Sequence, residues 1–496
     1  LKRKVAFPIG AGYAGEEILR KEPLIRALRG HDVHCPSRID PDVHLAGSPD
    51  LPVRGLPVEA LRRSFERLQG EAAGFDAVYR SEFFRRAYST DEVRDLQAWL
   101  GQSFPYVASM DRRFFRPHLL RDERDPKLVN QAMAAYVAYF RDWYQRNAID
   151  VLVATIEDDL FSLAAYYVAK RLGIRVLSWQ VGRFPQRGTM FCRDFREQLY
   201  WNDDAADWST ITALYAEKTT SGEALTRTKG YWDLANVPRR VRDAFFASEF
   251  ARYREKALGA HAAEGAIIPP VALARQAGRY VRKMARRYGM QAFARLPRPG
   301  ESYFLYAIHM VEDAQMTFRE PHLDQFHLIK QIARALPADA LLYVKPHPHY
   351  YGTDMSLGEI ATLARMPGVR ILPATAPPLR LIRESAGVVT INSTVGFEAL
   401  IQGKPVVTMG TDFYCLEPYC RVVRDRNDLA QALVRTLAAS DPVDVEANRL
   451  FVRRAYANTV RIEGHDVGFG LYGYTDQDGE AAADALDIIL RRLPAA

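Results

Sequence analysis

Cysteine is scarce in this chain, with four residues in 496. So few cannot form a disulfide framework over such a length. Cys35 and Cys192 stand alone, and Cys415 and Cys420 lie five apart with no histidine pair beside them. All four read as reduced structural thiols, the usage of a cytoplasmic protein, and no zinc site is expected. Long apolar runs are missing too. Nothing approaches the ~20 residues of a membrane-spanning helix. The opening LKRKVAFPIGAGYAG reads as a strand entering a glycine loop, not as a signal peptide. There is no repeat of solenoid period and no low-complexity tract. The most local absence is acidic: from Gly265 to Gly300 there is no Asp or Glu.

What is present is globular. The composition is 48% hydrophobic and 26% charged, and the length is too great for one ordinary core. A net charge of +7 is compatible with an anionic partner. Val5–Ile9 reads as a strand, followed by Gly10, Gly12 and Gly15 and a helical pattern from Glu16 to Leu28. Further helical patterns are Asp91–Leu100 and Leu128–Arg146. Asp150–Ala154 is a strand, Leu160–Leu172 a helix closed by Gly173, and Ile174–Trp179 the next strand. After the linker Leu296-Pro-Arg-Pro-Gly300 the alternation restarts, with strands at Tyr303–Ile308, Leu341–Lys345, Val369–Leu372, Gly387–Ile391 and Val406–Met409. The spacing predicts an α/β fold of two Rossmann-type parallel-sheet domains. The expected units are 1–297, with helical insertions at about 58–148 and 205–297, then 301–475, then a C-terminal helix in 476–496 packing back on the first unit.

Ligands of such sheets lie beyond the carboxyl ends of the strands. Three clusters fall there. Residues 388–410 read VVTINSTVGFEALIQGKPVVTMG. Asn392, Ser393 and Thr394 stand where a strand gives way to a helix, a place suited to phosphate. Gly396 and Glu398 follow in the helix, and Glu398 could hold ribose hydroxyls. A Ser or Thr here would equally cap any helix. The second cluster is Lys345-Pro-His-Pro348, in which two prolines fix the backbone around His347 and Lys345 adds a positive charge. His347 and Lys345 could neutralise a departing phosphate. The third is His309 with Glu312 and Asp313, near the inter-domain linker.

Taken in order, His309…Asp313-Ala, Lys345-Pro-His-Pro, Asn392-Ser-Thr-Val-Gly-Phe-Glu-Ala-Leu…Gly-Lys-Pro-Val406 and Gly410…Phe413-Tyr414 resemble the capsule polysaccharide synthesis family. That family consists of GT-B-type glycosyltransferases and includes β-Kdo transferases. Where it often reads His-x-Gln-Pro-Glu, this chain reads His309-Met-Val-Glu-Asp313. The resemblance implies a GT-B-like fold. It implies donor-phosphate contacts from Lys345, His347, Ser393 and Thr394, and a nucleoside contact from Glu398. It implies a nucleotide-sugar donor, with CMP-Kdo favoured, and a glycan or glycolipid acceptor on the N-terminal half.

An inverting transfer needs a group to take the proton from the attacking hydroxyl. Glu157, Asp158 and Asp159 are the candidates, and capping of the helix from Leu160 is the ordinary alternative for each. Arg183 and Arg187 could meet an acidic acceptor or a donor carboxylate, and Gly10 and Gly12 would line the same cleft. No metal and no cofactor beyond the donor is required, and no nucleic-acid partner is expected. Rival readings are polyol-phosphate transfer of the teichoic acid type, nucleotide-sugar epimerisation, and a non-catalytic role in capsule assembly or export. Separately, Arg275, Arg279, Arg282, Lys283, Arg286 and Arg287 recur at helical spacing in the acid-free segment. They form either a solvated face or a basic helix resting on anionic lipid at the inner face of the cytoplasmic membrane.

Overall fold

A computed structural model describes residues 2–9, 16–38, 58–111, 126–155, 159–184, 188–220, 270–310, 314–319, 324–347, 355–438, 442–464, 466–468 and 471–494. The fold is α/β, built on two mostly parallel sheets. The first sheet contains β1 (Lys4–Ala6), β2 (Asp32–Ser37), β3 (Gly74–Ala77), β4 (Val151–Thr155), β5 (Arg175–Val181), β6 (Gly188–Arg193) and β7 (Glu197–Gln198). The second contains β8 (Tyr303–Ala307), β9 (Leu341–Lys345), β10 (Val369–Ile371), β11 (Gly387–Thr390), β12 (Val406–Thr408) and β13 (Arg421–Val422). Late in the chain β14 (Val460–Arg461) returns to the first sheet and pairs antiparallel with β6.

The order in the second sheet is β10-β9-β8-β11-β12-β13, and every pairing is parallel. The chain winds outward one way from β8, then restarts beside it at β11. The crevice between β8 and β11 is thus the topological switch point, where open α/β sheets bind ligands. The first sheet runs β14-β6-β5-β4-β1-β2-β3 and has its own reversal between β1 and β4. Its strands β5, β6 and β14 are antiparallel neighbours.

Local sequence explains the elements. The strands of the second sheet are almost wholly buried, as expected of a sheet covered on both faces. Helix Thr90–Leu100 opens on a reciprocal capping box between Ser89 and Glu92 and closes on Gly101 at φ 72°. Helix Pro126–Asn147 buries Tyr136, Tyr139, Phe140, Trp143 and Tyr144 against helix Leu160–Arg171 and its neighbours. Full burial of a ring such as Phe140 contributes roughly 1.5–3 kcal/mol.

Three expectations of organisation change. Strand β3 lies inside the expected helical insertion 58–148 and forms the edge of the first sheet. It is four residues long and half exposed, so no apolar run announces it. Helix Pro270–Phe293, expected with the first unit, packs on the second. Its Met290 joins Leu363 and Ile371 in one core, and Ala294 bridges Ile371 at the end of β10. The return to the first sheet comes at β14, ahead of helix Asp476–Arg492. That helix packs on helix Glu16–Ala27, where a Cβ on Gly479 would lie 2.5 Å from the Pro23 carbonyl carbon.

Candidate functional site

The residues that follow the carboxyl ends of β8, β9, β11 and β12 converge. His309 follows β8 and is buried. Gln325 holds its backbone, accepting from His309 N at 2.7 Å and donating to His309 O at 2.9 Å. Across the switch point, His309 Nε2 accepts the backbone N–H of Asn392 at 3.4 Å. Burial, then the nearby positive charge of Arg183 and then His347, push the His309 pKa down to about 3. Its imidazole is therefore neutral near pH 7 and serves as an acceptor.

Asn392 is buried and ties two loops together. Its Oδ1 accepts from Thr411 N at 2.8 Å and Asp412 N at 2.9 Å, so the turn after β11 is fixed to the loop after β12. The approach requires glycine at 410, where a Cβ would lie 2.0 Å from Ile391 O and 2.2 Å from Asn392 Oδ1. Ser393 is the N-cap of helix Thr394–Ile401 and accepts from Val395 N at 3.2 Å. Thr394 is the first helical residue and is half buried. Gly396 packs rather than opens, since a Cβ there would lie 2.6 Å from the Tyr414 hydroxyl. That hydroxyl donates to Ser393 O at 2.6 Å. Glu398 is buried in the same helix, and its charge acts on both Lys345 and Tyr215.

Lys345 ends β9, is buried, and donates to Ala374 O at 2.9 Å. Burial lowers its pKa to about 8, against the opposing pull of Glu398. A depressed ammonium in an apolar setting gains most from an arriving anion. His347 is half buried and lies within electrostatic reach of His309.

The first sheet contributes Arg183, which follows β5. Its Nη2 meets Asp412 Oδ2 at 2.6 Å and reaches Asn392 O at 3.5 Å. Asp412 also receives Arg319 Nη1 at 2.7 Å, and Arg319 Nη2 donates to Gln180 Oε1 of β5 at 2.5 Å. Burial alone would raise the Asp412 pKa, and the two guanidiniums reverse this and hold it below the ordinary carboxylate range. Two cations on one carboxylate leave a net positive charge beside the Asn392 turn. The carboxyl ends of the two sheets therefore face one another here.

Asp159 has a structural position. Its Oδ1 caps helix Leu160–Arg171 by accepting from Ser162 N at 2.8 Å, and its Oδ2 meets Arg38 Nη1 at 3.2 Å. Both oxygens are engaged. Gly10, Gly12, Glu157, Asp158, Arg187, Glu312 and Asp313 lie outside the described residues. Asp412, Arg319 and Gln180 were not foreseen. Asp412 sits between Gly410 and Phe413 of the recognised motif, a hint for it alone. Among the described residues, no group of three or more His, Cys, Asp or Glu could hold a metal ion.

A family model described as capsule polysaccharide biosynthesis protein matches residues 227–421. This is the family the motifs resemble. The match spans His309, Lys345, the Asn392–Thr394 turn and Asp412. The capsule polysaccharide export protein KpsS of Escherichia coli is 31% identical over 121 residues, covering 23% of this chain. The chain matches 31% of the length of that capsule protein. Among solved structures, the β-Kdo 2,7 transferase KpsC of Thermosulfurimonas dismutans is 14% identical with a TM-score of 0.32, covering 72% of this chain and 90% of that one. A UDP-GlcNAc 2-epimerase from Neisseria meningitidis is 12% identical with a TM-score of 0.29, covering 99% and 100%.

Proposed function

We propose that the protein is a glycosyltransferase of bacterial surface polysaccharide synthesis, with the nucleotide-sugar donor on the second sheet and the acceptor hydroxyl on the first. One observation carries the reading. Lys345, His347, Arg183 and the Asn392–Thr394 turn gather at the switch point of the second sheet, around a helix N-terminus. Cationic side chains at such a place suit a phosphate, and they stabilise charge that grows as the phosphate departs. Neutral His309 acts at one remove, by holding the turn.

In this reaction the acceptor oxygen attacks the anomeric carbon and the bond from that carbon to the phosphate oxygen breaks. The oxygen's proton goes to a carboxylate of the first half. Asp159 caps a helix and pairs with Arg38, so Glu157 or Asp158 is assigned the base. The net positive charge around Asp412 favours an acidic sugar, in keeping with Kdo from CMP-Kdo. The acceptor is a glycan or glycolipid at the inner face of the cytoplasmic membrane.

The deciding experiment is thermal unfolding of wild type and His347→Ala with CMP, CDP, UDP and GDP side by side. A ligand that binds only the folded chain raises its melting temperature by mass action. Stabilisation by CMP, lost in the variant, is the expected result, followed by transfer from CMP-Kdo to a glycan acceptor. Preference for a diphosphate would move the donor to an ordinary hexose. No response to any nucleotide would overturn the catalytic reading in favour of an assembly or export factor.

A further inference from the structure

Helix Pro270–Phe293 has no part in the site. It closes the β10 side of the second sheet with Met284, Arg287 and Met290 buried beneath it. Its outer face is unusual. Val281 is 64% exposed and Tyr288, two turns on, 44%. Ala285 and Ala292 fall on the same stripe and are half buried and exposed. Phe293, the last residue of the helix, and Leu296 just beyond it are also exposed, and so is Leu357 of helix Leu357–Arg365, which approaches Gly289. Isolated exposed apolar residues need no explanation, but a contiguous set does.

The flank of this stripe is basic. Arg282 and Arg286 are four apart, which places them along one side of the helix, and the sequence before them carries Arg275 and Arg279. Arg282 is exposed and Arg286 half buried. Arg287, counted with them in the sequence, is buried and belongs to the packed face. From Gly265 to Gly300 the sequence holds no acidic residue. An aqueous face would carry mixed charges, and a protein–protein interface of this apolarity gives no reason to exclude acid from 36 residues. An apolar stripe beside a basic one, on a helix lying flat, fits the boundary of an anionic leaflet.

We propose that this surface docks the protein on an anionic lipid bilayer, with Val281, Tyr288, Phe293 and Leu296 entering the headgroup region and Arg282 and Arg286 meeting lipid phosphates. The end of the helix bridges the end of β10, next to the strand that carries Lys345, so the docked protein presents its carboxyl edge near the bilayer. The surface stands on its own observations. Only its use, to meet a lipid-linked acceptor, rests on the glycosyltransferase reading.

The test is co-sedimentation of the purified full chain with vesicles of phosphatidylcholine alone or mixed with phosphatidylglycerol, without nucleotide. Wild type is expected to pellet with the anionic vesicles only. Val281→Asp with Tyr288→Asp, and separately Arg282→Glu with Arg286→Glu, should each lower the partition coefficient by at least about tenfold. Arg62→Glu with Arg63→Glu, exposed on helix Val58–Glu71, should leave it unchanged. Circular dichroism and a cooperative thermal unfolding transition confirm that each variant is folded. Wild type that stays in the supernatant, or folded variants that pellet like wild type, would overturn the proposal. So would a dimer in sedimentation velocity that Val281→Asp with Tyr288→Asp dissociates, since a second copy would then be the occupant. Because vesicle binding is read without donor and nucleotide binding without vesicles, either reading can fail alone.

Discussion

Arg183 and Asp412 join the two sheets across 229 residues of chain, with Nη2 and Oδ2 2.6 Å apart. Asp412 has no exposed side-chain surface, and its other oxygen receives Arg319. Removing it leaves two guanidiniums facing each other with no anion between them. Asp412→Ala is expected to cost about 3–5 kcal/mol, the range for breaking a buried ion pair from one side. Asp412→Asn, which keeps the shape and some acceptors, should cost less. Urea unfolding measures both, and an Asp412→Ala protein as stable as wild type would show that the latch contributes nothing.

His309 makes the protein acid-sensitive. Its native pKa, near 3, lies below the ordinary 6.5. As pH falls through 6.5 the unfolded chain takes up a proton that the folded one refuses. Stability is therefore fully present above that pH and declines as pH drops toward 3, by at most about 1.4 kcal/mol per pH unit from this group. Melting temperatures followed from neutral to acid pH should fall more steeply in wild type than in His309→Asn. Parallel curves would mean that the imidazole is not the group that resists the proton.

Lys345 should reveal phosphate binding through protons. Its pKa of about 8 in the free protein means that near this pH part of the population is neutral. A bound phosphate favours the ammonium, so binding at pH 8 is accompanied by uptake of a fraction of a proton. Calorimetry in buffers of different ionisation heat detects this. The uptake is expected to vanish in Lys345→Met together with most of the affinity. Binding without proton uptake would place the phosphate away from Lys345.

Two glycines make a contrast. A Cβ on Gly410 would overlap Ile391 O and Asn392 Oδ1, so Gly410→Ala must displace the turn and is expected to cost several kcal/mol. Gly278, exposed in helix Pro270–Phe293, has nothing within 4 Å of the same position. Gly278→Ala should stabilise by roughly 0.5–1 kcal/mol through helix propensity. Thermal unfolding of the pair checks that the effect belongs to the site and not to glycine replacement in general.

The second sheet was the most legible part of the sequence. Each of β8, β9, β11 and β12 is a short apolar run bounded by Gly, Pro or a polar turn, and their observed limits fall within two residues of the pattern. Strands β3 and β14 gave no such signal, since one is half exposed and the other is two residues long, paired only through distant chain. The site divides in the same way. Lys345-Pro-His347 and Asn392-Ser-Thr are contiguous, so residue type and position at a strand end point to them. Arg319 acquires its meaning from Asp412, 93 residues away, and from Gln180, 139 residues away. No local spacing encodes such a meeting. Asp159 was legible as both cap and base, and the structure gives its two oxygens to Ser162 N and Arg38.

The late return of β14 and helix Asp476–Arg492 bears on how the protein is made. The core of the first sheet includes Ile18, Leu24 and Ile25 from the start of the chain and Leu486, Ile489 and Leu490 from its far end. Arg3 donates to Leu493 O at 2.6 Å. During synthesis the first half emerges before helix Asp476–Arg492 can join this face, which Phe65 and Leu68 of helix Val58–Glu71 share. The second sheet draws its strands from a continuous stretch and can close earlier. The layer formed by Leu486, Ile489 and Leu490 therefore joins this core only after every strand of the second sheet has been translated.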